Sequence, residues 1–415
     1  MTVGDLVGPF RGLRLAPGRA DDIAAPPYDV VNREEARAAA EGKPYSFFHV
    51  SRAEIDLAPD TDPYSDKVYE KAAANLQQFL SDGLLVQDET PCFYIYRIST
   101  GTLRQTGVAV SVSVDAYLEN RVRKHELTRP SKEDDRVRQI EAVNAITGPV
   151  LCVHKTHAGL QSIVDELTVA APETVAENVD GARHELWVVR DDAQVSEIAR
   201  LMNAMDALYI ADGHHRSAAG ARVAAARREA NPDHTGSESY NGFLAVSFPS
   251  DQVIILDYNR VVRDLNGQTP EALLDSLHET FYVKQSSDPI KPAERSTFGM
   301  YMDGAWWLLK PRGKTSGGDP VDNLDVSLMT RMILEPCLGI GDQRTDTRID
   351  FVGGSRGPEE IARRVDSGEM AVGFTLYPTS LDDLMAVADA DMIMPPKSTW
   401  FDPKLADGMI SQLLD

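Results

Sequence analysis

The sequence predicts a mixed α/β protein with two major units and an N-terminal elaboration. Short apolar runs alternate with longer amphipathic segments along most of the 415 residues, as strands alternate with helices. Two pairs of alternating segments are separated by short turns, a pattern typical of β-hairpins. The sequence contains no internal repeat and no low-complexity tract.

The first part of the chain combines an extended segment, a helix and a hairpin. Residues 24–31 are expected to be extended, because Pro26 and Pro27 exclude a helix there. An amphipathic helix is predicted from residue 65 to about residue 82. Residues 92–98 and 105–112 alternate in polarity around the turn Ser99-Thr100-Gly101, which predicts a hairpin.

The remaining elements alternate between helices and strands. In the middle of the chain we expect helices at 131–145 and 157–168 and strands at 149–153, 184–189, 242–248 and 253–256. Near the C-terminus we expect helices at 270–279, 324–338, 358–367 and 381–388, a hairpin of 297–301 with 305–309, and strands at 350–352 and 371–376. We divide the chain into residues 1–106, 107–267 and 268–415.

Composition excludes several classes of protein. The formal net charge of −22 argues against a nucleic-acid-binding surface, which needs a basic face. No apolar run approaches the roughly 18 residues of a membrane span, and no signal peptide is expected. Cys92, Cys152 and Cys337 form no CxxC pair, which favours a reducing, cytoplasmic location and no structural zinc.

The most informative segment is Ala207 to Ser217, an apolar run followed by Asp-Gly-His-His-Arg-Ser and an Ala-rich stretch. It predicts a strand, a tight turn and a helix, whose first turn offers unpaired N–H groups to an anion such as phosphate. Arg216 adds a permanent positive charge, and Gly213 allows close backbone approach. Alternatively, Asp212 is a helix cap and the histidines are solvated. Asp206, Asp212 and the two histidines are also candidates for a divalent metal site.

Two further clusters are candidates for chemistry. His125 and Glu126 lie among arginines, including Arg129, so Glu126 should be ionised and able to accept a hydrogen bond from a hydroxyl; a solvated charge run is the alternative. Near the C-terminus, Lys397-Ser398-Thr399 between prolines could line a polar pocket. The alternative there is a structural lid that packs Trp400 and Phe401 on the core.

In this order, His-Glu, Asp-Gly-His-His-Arg and Pro-Lys-Ser-Thr resemble motifs of the free serine kinases with a ParB/sulfiredoxin-like fold. The whole chain is identified as a member of the family called domain of unknown function 1015. The marks of that family are residues 25–30 (Ala-Pro-Pro-Tyr-Asp-Val), 125–128 (His-Glu-Leu-Thr), 211–216 and 396–401. The resemblance implies a ParB/sulfiredoxin-like core at 107–267 and a C-terminal α/β domain carrying an acceptor-site loop.

The resemblance also implies roles for individual residues. Glu126 corresponds to the general base and, with Asp212, forms the predicted catalytic pair. The predicted nucleotide and phosphate ligands are His125, Arg129, Gly213, His214, His215, Arg216 and Ser217, and Asp212 is the predicted Mg²⁺ ligand. Lys397, Ser398, Thr399 and Trp400 correspond to the amino-acid pocket.

Two features depart from the kinases. Glu126 and Asp212 are farther apart in sequence, with a helix and a strand between them, an insertion that costs little in a surface loop. The arginine and histidine of the kinase pocket are replaced by Trp400 and Phe401. Tryptophan cannot bind a carboxylate through two hydrogen bonds as arginine does. The resemblance therefore supports nucleotide binding more strongly than it supports serine binding.

We therefore expect a kinase that transfers a phosphoryl group from ATP or ADP, with Mg²⁺, to the hydroxyl of free L-serine or a related metabolite. The leading alternative is a nucleotide-binding regulatory protein of the same fold without transferase activity. A DNA-partitioning role is disfavoured by the acidic balance, and a sulfiredoxin-like reductase by the lack of a cysteine near the Asp-Gly-His-His-Arg turn. The sequence leaves the oligomeric state open.

Overall fold

The computed structural model describes residues 4–313, 315 and 317–414, and it has a mixed α/β architecture with several sheets. The chain forms two compact units. The first contains the residues up to Val253 together with those from Pro403 onwards, and the second contains Ile254–Asp402. No helix among the described residues is both long and apolar enough to cross a bilayer.

A nine-stranded, predominantly antiparallel sheet dominates the first unit, and a four-stranded sheet accompanies it. The strands of this unit are β1 (Val7–Gly8), β2 (Gly12–Leu15), β3 (Leu85–Gln87), β4 (Phe93–Thr100), β5 (Leu103–Ser113), β6 (Val122–Arg123), β7 (Ala145–Ile146), β8 (Val150–His154), β9 (Thr174–Val179), β10 (Ala182–Val189), β11 (Leu208–Asp212), β12 (Gly242–Pro249) and, near the C-terminus, Ile410–Leu413. The large sheet has the order β6-β11-β8-β12-β5-β4-β10-β9, and β1 pairs with β5. The predicted hairpin is confirmed as β4 and β5.

Several helices of the first unit begin at a capping residue or a proline. They are α1 (Ala20–Ile23), α2 (Arg33–Ala40), α3 (Phe48–Ser51), α4 (Asp66–Ser81), α5 (Val114–Leu118), α6 (Pro130–Val143), α7 (Ala158–Leu167), α8 (Asp192–Asn203) and α9 (His214–Ala230), with 3₁₀ turns at Ala53–Asp56 and Ser239–Asn241. Asn32 and Glu35 form a capping box at α2, Asp191 caps α8, and Pro130 opens α6.

The Ala-rich helix α9 packs against α6 and β12. Ala219, Gly220, Val223 and Ala224 are buried. A Cβ at Gly220 would lie 3.1 Å from the Cβ of Phe243, so the small side chains let the helix approach the sheet closely.

The C-terminal segment belongs to the first unit. Its strand Ile410–Leu413 lies between β2 and β7 in the four-stranded sheet. Asp407 also forms reciprocal backbone hydrogen bonds with Ala25. The chain therefore leaves the first unit near residue 254 and returns to it at residue 403.

The second unit contains a six-stranded sheet flanked by helices. Its elements are β13 (Ile255–Leu256), β14 (Tyr258–Val262), α10 (Pro270–Thr280), β15 (Phe281–Ser286), β16 (Phe298–Met302), β17 (Ala305–Pro311), α11 (Asp325–Met329), a π-helical turn (Thr330–Leu334), α12 (Glu335–Leu338), β18 (Ile349–Gly353), a 3₁₀ turn (Gly354–Arg356), α13 (Gly357–Asp366), β19 (Val372–Leu376), α14 (Leu381–Asp389) and β20 (Trp400–Phe401). The strand Ile410–Leu413 is thus β21. The six strands have the order β15-β17-β16-β19-β14-β18, and β13 pairs with β20.

The two units do not coincide with the three predicted segments. The predicted boundary after residue 106 falls within β5, and the one after residue 267 lies within the second unit. Residues 403–415, placed in the C-terminal segment, group with the first unit. The reason is that β21 pairs with strands from early in the chain, a non-local pairing that local sequence patterns do not show.

We predict that Gly107→Ala destabilises the protein by about 1–3 kcal/mol, the usual effect of overpacking. A Cβ at this position would lie 2.6 Å from the carbonyl oxygen of Ser247 and 2.8 Å from the ring of Phe248, so β5 and β12 would have to separate. Urea denaturation followed by circular dichroism measures the change. The control is Gly341→Ala, whose added Cβ has no neighbour within 4 Å; equal stability of the two variants would contradict the prediction.

Candidate functional site

The Asp-Gly-His-His-Arg turn joins β11 to α9, so the predicted strand, turn and helix are confirmed. Gly213 is the N-cap residue of α9 and has a φ of 99°, a left-handed conformation that favours glycine. No side chain caps the helix. Asp212 is therefore not a helix cap, and the positive end of a 17-residue helix adjoins the turn.

Asp212 forms ion pairs with two cations instead. Its Oδ2 accepts a hydrogen bond of 2.6 Å from Arg216, and its Oδ1 accepts one of 3.1 Å from Nζ of Lys404. Burial opposes ionisation, but Lys404 and Arg216 hold the pKa of Asp212 well below its usual value. The carboxylate thus stays ionised, and two cations surround one anion.

Lys404 is a site residue that the sequence analysis missed. It lies 192 positions from Asp212, on the segment that returns to the first unit, and its side chain is largely buried. Burial lowers its pKa, but Asp212 and Asp29 outweigh that effect and raise it, so the ammonium group stays charged. The residues around Lys404 in the sequence give no indication that it contacts Asp212.

The guanidinium group of Arg216 is held from several sides. Besides Asp212, it donates to the carbonyl oxygen of Pro149. A Cβ at Gly213 would lie 3.0 Å from Nε of Arg216, and one at Gly148 would lie 3.3 Å from its Cδ. Glycine at both positions leaves room for the buried side chain, and the surrounding contacts fix its orientation.

The second predicted cluster lies beside the start of α9. The backbone N–H of His125 donates to Nε2 of His214 over 3.5 Å, and the two rings meet edge to face at 4.5 Å. Oε2 of Glu126 lies 3.8 Å from Nδ1 of His214, and its side chain is 39% exposed. Glu126 and the turn are thus neighbours despite their separation in sequence, and the carboxylate remains accessible to a ligand.

Burial keeps both histidines neutral at physiological pH. It lowers the pKa of His125 to about 4, against a weaker opposing effect of a hydrogen bond with the backbone of Ile210. Burial and the neighbouring His125 lower the pKa of His214 well below its usual value. His214 can therefore accept a hydrogen bond and hold the loop that carries Glu126, as the bond from His125 shows.

The other predicted ligands of this turn have structural contacts. Nε2 of His215 accepts a 3.0 Å hydrogen bond from the backbone of Arg129, which joins the turn to the N-terminus of α6. Ser217 is fully buried, and its hydroxyl donates to the carbonyl oxygen of His214. These contacts shape the turn.

Asp212 does not fit the predicted role of a magnesium ligand in this arrangement. Each of its oxygens already faces a cation, and a divalent ion would add positive charge at the same place. Within the described parts of the chain, no group of three or more His, Cys, Asp or Glu side chains is arranged to hold a metal ion.

The predicted acceptor-site loop belongs to the second unit. The hydroxyl of Ser398 donates to the carbonyl oxygen of Pro395, and Nζ of Lys397 lies 5.6 Å from the ring centre of Tyr258. Trp400 lies in β20 and contacts the same tyrosine edge to face at 5.3 Å. Thr399 precedes this strand. The loop is therefore an integral, packed part of its unit.

A buried arginine at the base of this loop was also missed. Arg260 of β14 is fully buried and donates to the carbonyl oxygen of Pro396 over 3.2 Å. Burial lowers its pKa to about 10. The local sequence gives no indication that the charged side chain of Arg260 is buried.

A family model described as a protein of unknown function, DUF1015, matches residues 7–327. The chain belongs to this family. Similar solved structures include a free serine kinase in complex with AMP, which is 13% identical in sequence. The match covers 73% of this chain and 89% of that chain, with a TM-score of 0.35. A conserved hypothetical protein from Pyrococcus furiosus shares 12% identity (coverage 74% and 95%, TM-score 0.34), and C-terminally truncated SbnI from Staphylococcus aureus shares 12% (coverage 72% and 85%, TM-score 0.36). No curated protein matches the chain.

We predict that His125→Gln flattens the dependence of stability on pH between about 6.5 and 4. In the wild type the unfolded chain binds a proton at His125 in this range and the folded protein does not, so stability falls as the pH falls. The variant should lose a slope of up to about 1.4 kcal/mol per pH unit. Urea denaturation at several pH values measures it, with the exposed His278→Gln as control. A wild-type slope in His125→Gln would contradict the prediction.

Proposed function

We propose that this protein is a cytosolic small-molecule kinase that transfers a phosphoryl group from ATP or ADP to the hydroxyl of free L-serine or a related compound. The observation that carries the proposal is the arrangement at the start of α9, where Arg216 and Lys404 flank Asp212 and the carboxylate of Glu126 lies beside His214. The motif order shared with the free serine kinases supports the identity of the donor and the ParB/sulfiredoxin-like core.

The turn has the charge that phosphate groups need. Arg216 and Lys404 bring two cations to the turn against the carboxylate of Asp212, and the N-terminus of α9 adds the positive end of its dipole. Because the cations are largely buried, their attraction for phosphate is screened less than at an open surface. Such preorganised positive charge stabilises a migrating phosphoryl group.

Glu126 is the proposed general base. The acceptor oxygen attacks the terminal phosphorus, the bond from phosphorus to the bridging oxygen of the nucleotide breaks, and the hydroxyl proton passes to the carboxylate. Glu126 is suited to this role because its side chain is partly exposed and lies next to the turn. The neutral His214 does not compete with the acceptor as a charged partner.

The proposal also assigns residues to the binding of the acceptor. Lys397, Ser398, Thr399 and Trp400 are proposed to contact it, with the ammonium group of Lys397 facing the carboxylate of an amino acid. Their loop is well ordered by its own contacts, which favours a preformed surface. Magnesium accompanies nucleotides as a proposed cofactor, without Asp212 as its ligand.

Lys404→Met is expected to weaken nucleotide binding, and more strongly as the number of phosphates increases from AMP to ATP. The reason is that the variant keeps the length of the side chain but removes a cation beside the proposed phosphate site. A lost charge-assisted hydrogen bond is worth about 1.5–3 kcal/mol. Titration calorimetry with each nucleotide, with and without magnesium, measures the effect. The control is Arg222→Ala on α9, which removes a cation that is paired with Glu133 and Asp134 instead. Unchanged affinities in Lys404→Met would remove the lysine from the phosphate site.

Glu126→Gln is expected to reduce phosphoryl transfer by a factor of about 10²–10⁴ and to leave nucleotide affinity nearly unchanged. The amide keeps the shape of the side chain but cannot take the proton. Turnover with serine, threonine, homoserine and glycerate as acceptors measures the first effect, and calorimetry the second. A variant with wild-type turnover would exclude Glu126 as the base. Nucleotide binding by the wild type with no turnover on any acceptor would instead point to the regulatory alternative.

A further inference from the structure

The segment that precedes α2 brings one further carboxylate, that of Asp29, close to the Asp-Gly-His-His-Arg turn. Pro27, two positions before it, borders the same narrow space as three charged residues of the turn, namely Asp212, Arg216 and Lys404. All of these residues belong to the first unit. The proposed phosphoryl transfer has so far assigned no role to Asp29.

Hydrogen bonds hold the backbone on both sides of Asp29. The N–H of Tyr28 donates to Oδ2 of Asp407 over 3.1 Å. The guanidinium group of Arg52 donates to the carbonyl oxygen of Tyr28 over 2.9 Å and to that of Val31 over 3.1 Å. The segment is therefore preorganised, and the backbone position from which the side chain of Asp29 extends is fixed.

The charge of Asp29 acts on both cations of the turn. Burial lowers the pKa of Lys404, but Asp212 and Asp29 raise it above its usual value. Burial also lowers the pKa of Arg216, and the same two carboxylates raise it. Asp29 itself is exposed, and its carboxylate forms no hydrogen bond or ion pair with any described residue. It therefore lies near both cations and remains available to a ligand.

This carboxylate affects which form of a nucleotide the turn can bind. At least two carboxylates, Asp212 and Asp29, oppose the charges of Arg216 and Lys404. ATP or ADP without a metal ion carries several negative charges, which Asp29 repels. Bound Mg²⁺ neutralises part of that charge and thereby removes part of the repulsion.

The chemistry of Asp29 also fits a magnesium ligand. Mg²⁺ prefers oxygen ligands and is usually held by one or two carboxylates together with water and the phosphates of a substrate. An exposed carboxylate without a partner among the described residues can take this role. Asp212 cannot, because Arg216 and Lys404 already face its two oxygens.

We infer that Asp29 holds the Mg²⁺ of a nucleotide complex, so that the turn binds Mg²⁺–ADP or Mg²⁺–ATP in preference to the metal-free nucleotide. This inference rests on the proposed function, because it places the phosphates at Arg216 and Lys404. When bound, Mg²⁺ neutralises the charge that develops on the transferred phosphoryl group. One carboxylate alone is a weak site for this ion, so the ion arrives with the nucleotide.

Two variants of Asp29 and one control test the inference. Asp29→Asn keeps the size of the side chain and removes its charge, and Asp29→Ala removes both. The matched control is Glu229→Gln, which neutralises another exposed carboxylate near the C-terminal end of α9, about 22 Å from the turn. Circular dichroism verifies that all three variants fold.

The experiment is titration calorimetry of the full chain with ADP and with ATP, each in excess Mg²⁺ and in EDTA, at constant ionic strength. In the wild type we expect Mg²⁺ to increase the affinity for either nucleotide by about tenfold or more. Both Asp29 variants should bind metal-free nucleotide about three- to fivefold more tightly than the wild type, because a repelling charge is gone. Mg²⁺ should increase their affinity by less than about threefold. Glu229→Gln should match the wild type in both series.

The sign of the change separates this role from a structural one. A damaged site would bind the nucleotide more weakly in both series, whereas loss of the charge alone strengthens binding without Mg²⁺. A wild-type effect of Mg²⁺ in both Asp29 variants, or weaker binding of metal-free nucleotide by both, would overturn the inference and leave the kinase proposal intact. A wild-type protein that binds neither nucleotide in either series would overturn both.

Discussion

The ion pair between Arg216 and Asp212 is the interaction on which the arrangement of the first unit depends. A buried guanidinium group is costly unless it is paired and hydrogen-bonded, and here it is held by a carboxylate and a backbone carbonyl. Its bulk restricts Gly148 and Gly213 to residues without a side chain unless neighbours move. The start of α9, the end of β11 and the segment before β8 are thus positioned around one side chain.

The third charge, Lys404, links this local arrangement to the topology of the whole unit. An isolated Arg–Asp pair is neutral, and a helix N-terminus alone is a modest anion site. The returning segment adds a second cation, and β21 secures that segment in the four-stranded sheet. In a chain with a net charge of −22, a positive site needs cations that are sheltered from the acidic surface, and burial of Lys404 achieves this.

The sequence predicted what is local and missed what is long-range. The turn at 212–216 was predicted because an apolar run, a glycine and an Ala-rich stretch lie within a few residues, and the hairpin of β4 and β5 for the same reason. Lys404 and Asp407 approach this turn through long-range contacts, the pairing of β21 and the backbone hydrogen bonds between Asp407 and Ala25, which no periodicity encodes. Arginine side chains are usually exposed, so the residue type alone predicts an exposed Arg260, whereas the side chain is fully buried. The placement of Asp212 between two cations also could not be read from its neighbours in sequence.

The first turn of α9 separates two kinds of chemistry. On one side, the buried neutral rings of His125 and His214 adjoin Glu126, a carboxylate open to solvent and to a proton. On the other, Arg216 and Lys404 provide fixed charge with no proton to exchange near neutral pH. His214 and Arg216 belong to the same helical turn, so one rigid element holds the neighbour of the proposed base and one cation of the proposed phosphate site, each in its own electrostatic environment. All of them lie in the first unit, so the nucleotide half of the proposed activity requires no residue of the second.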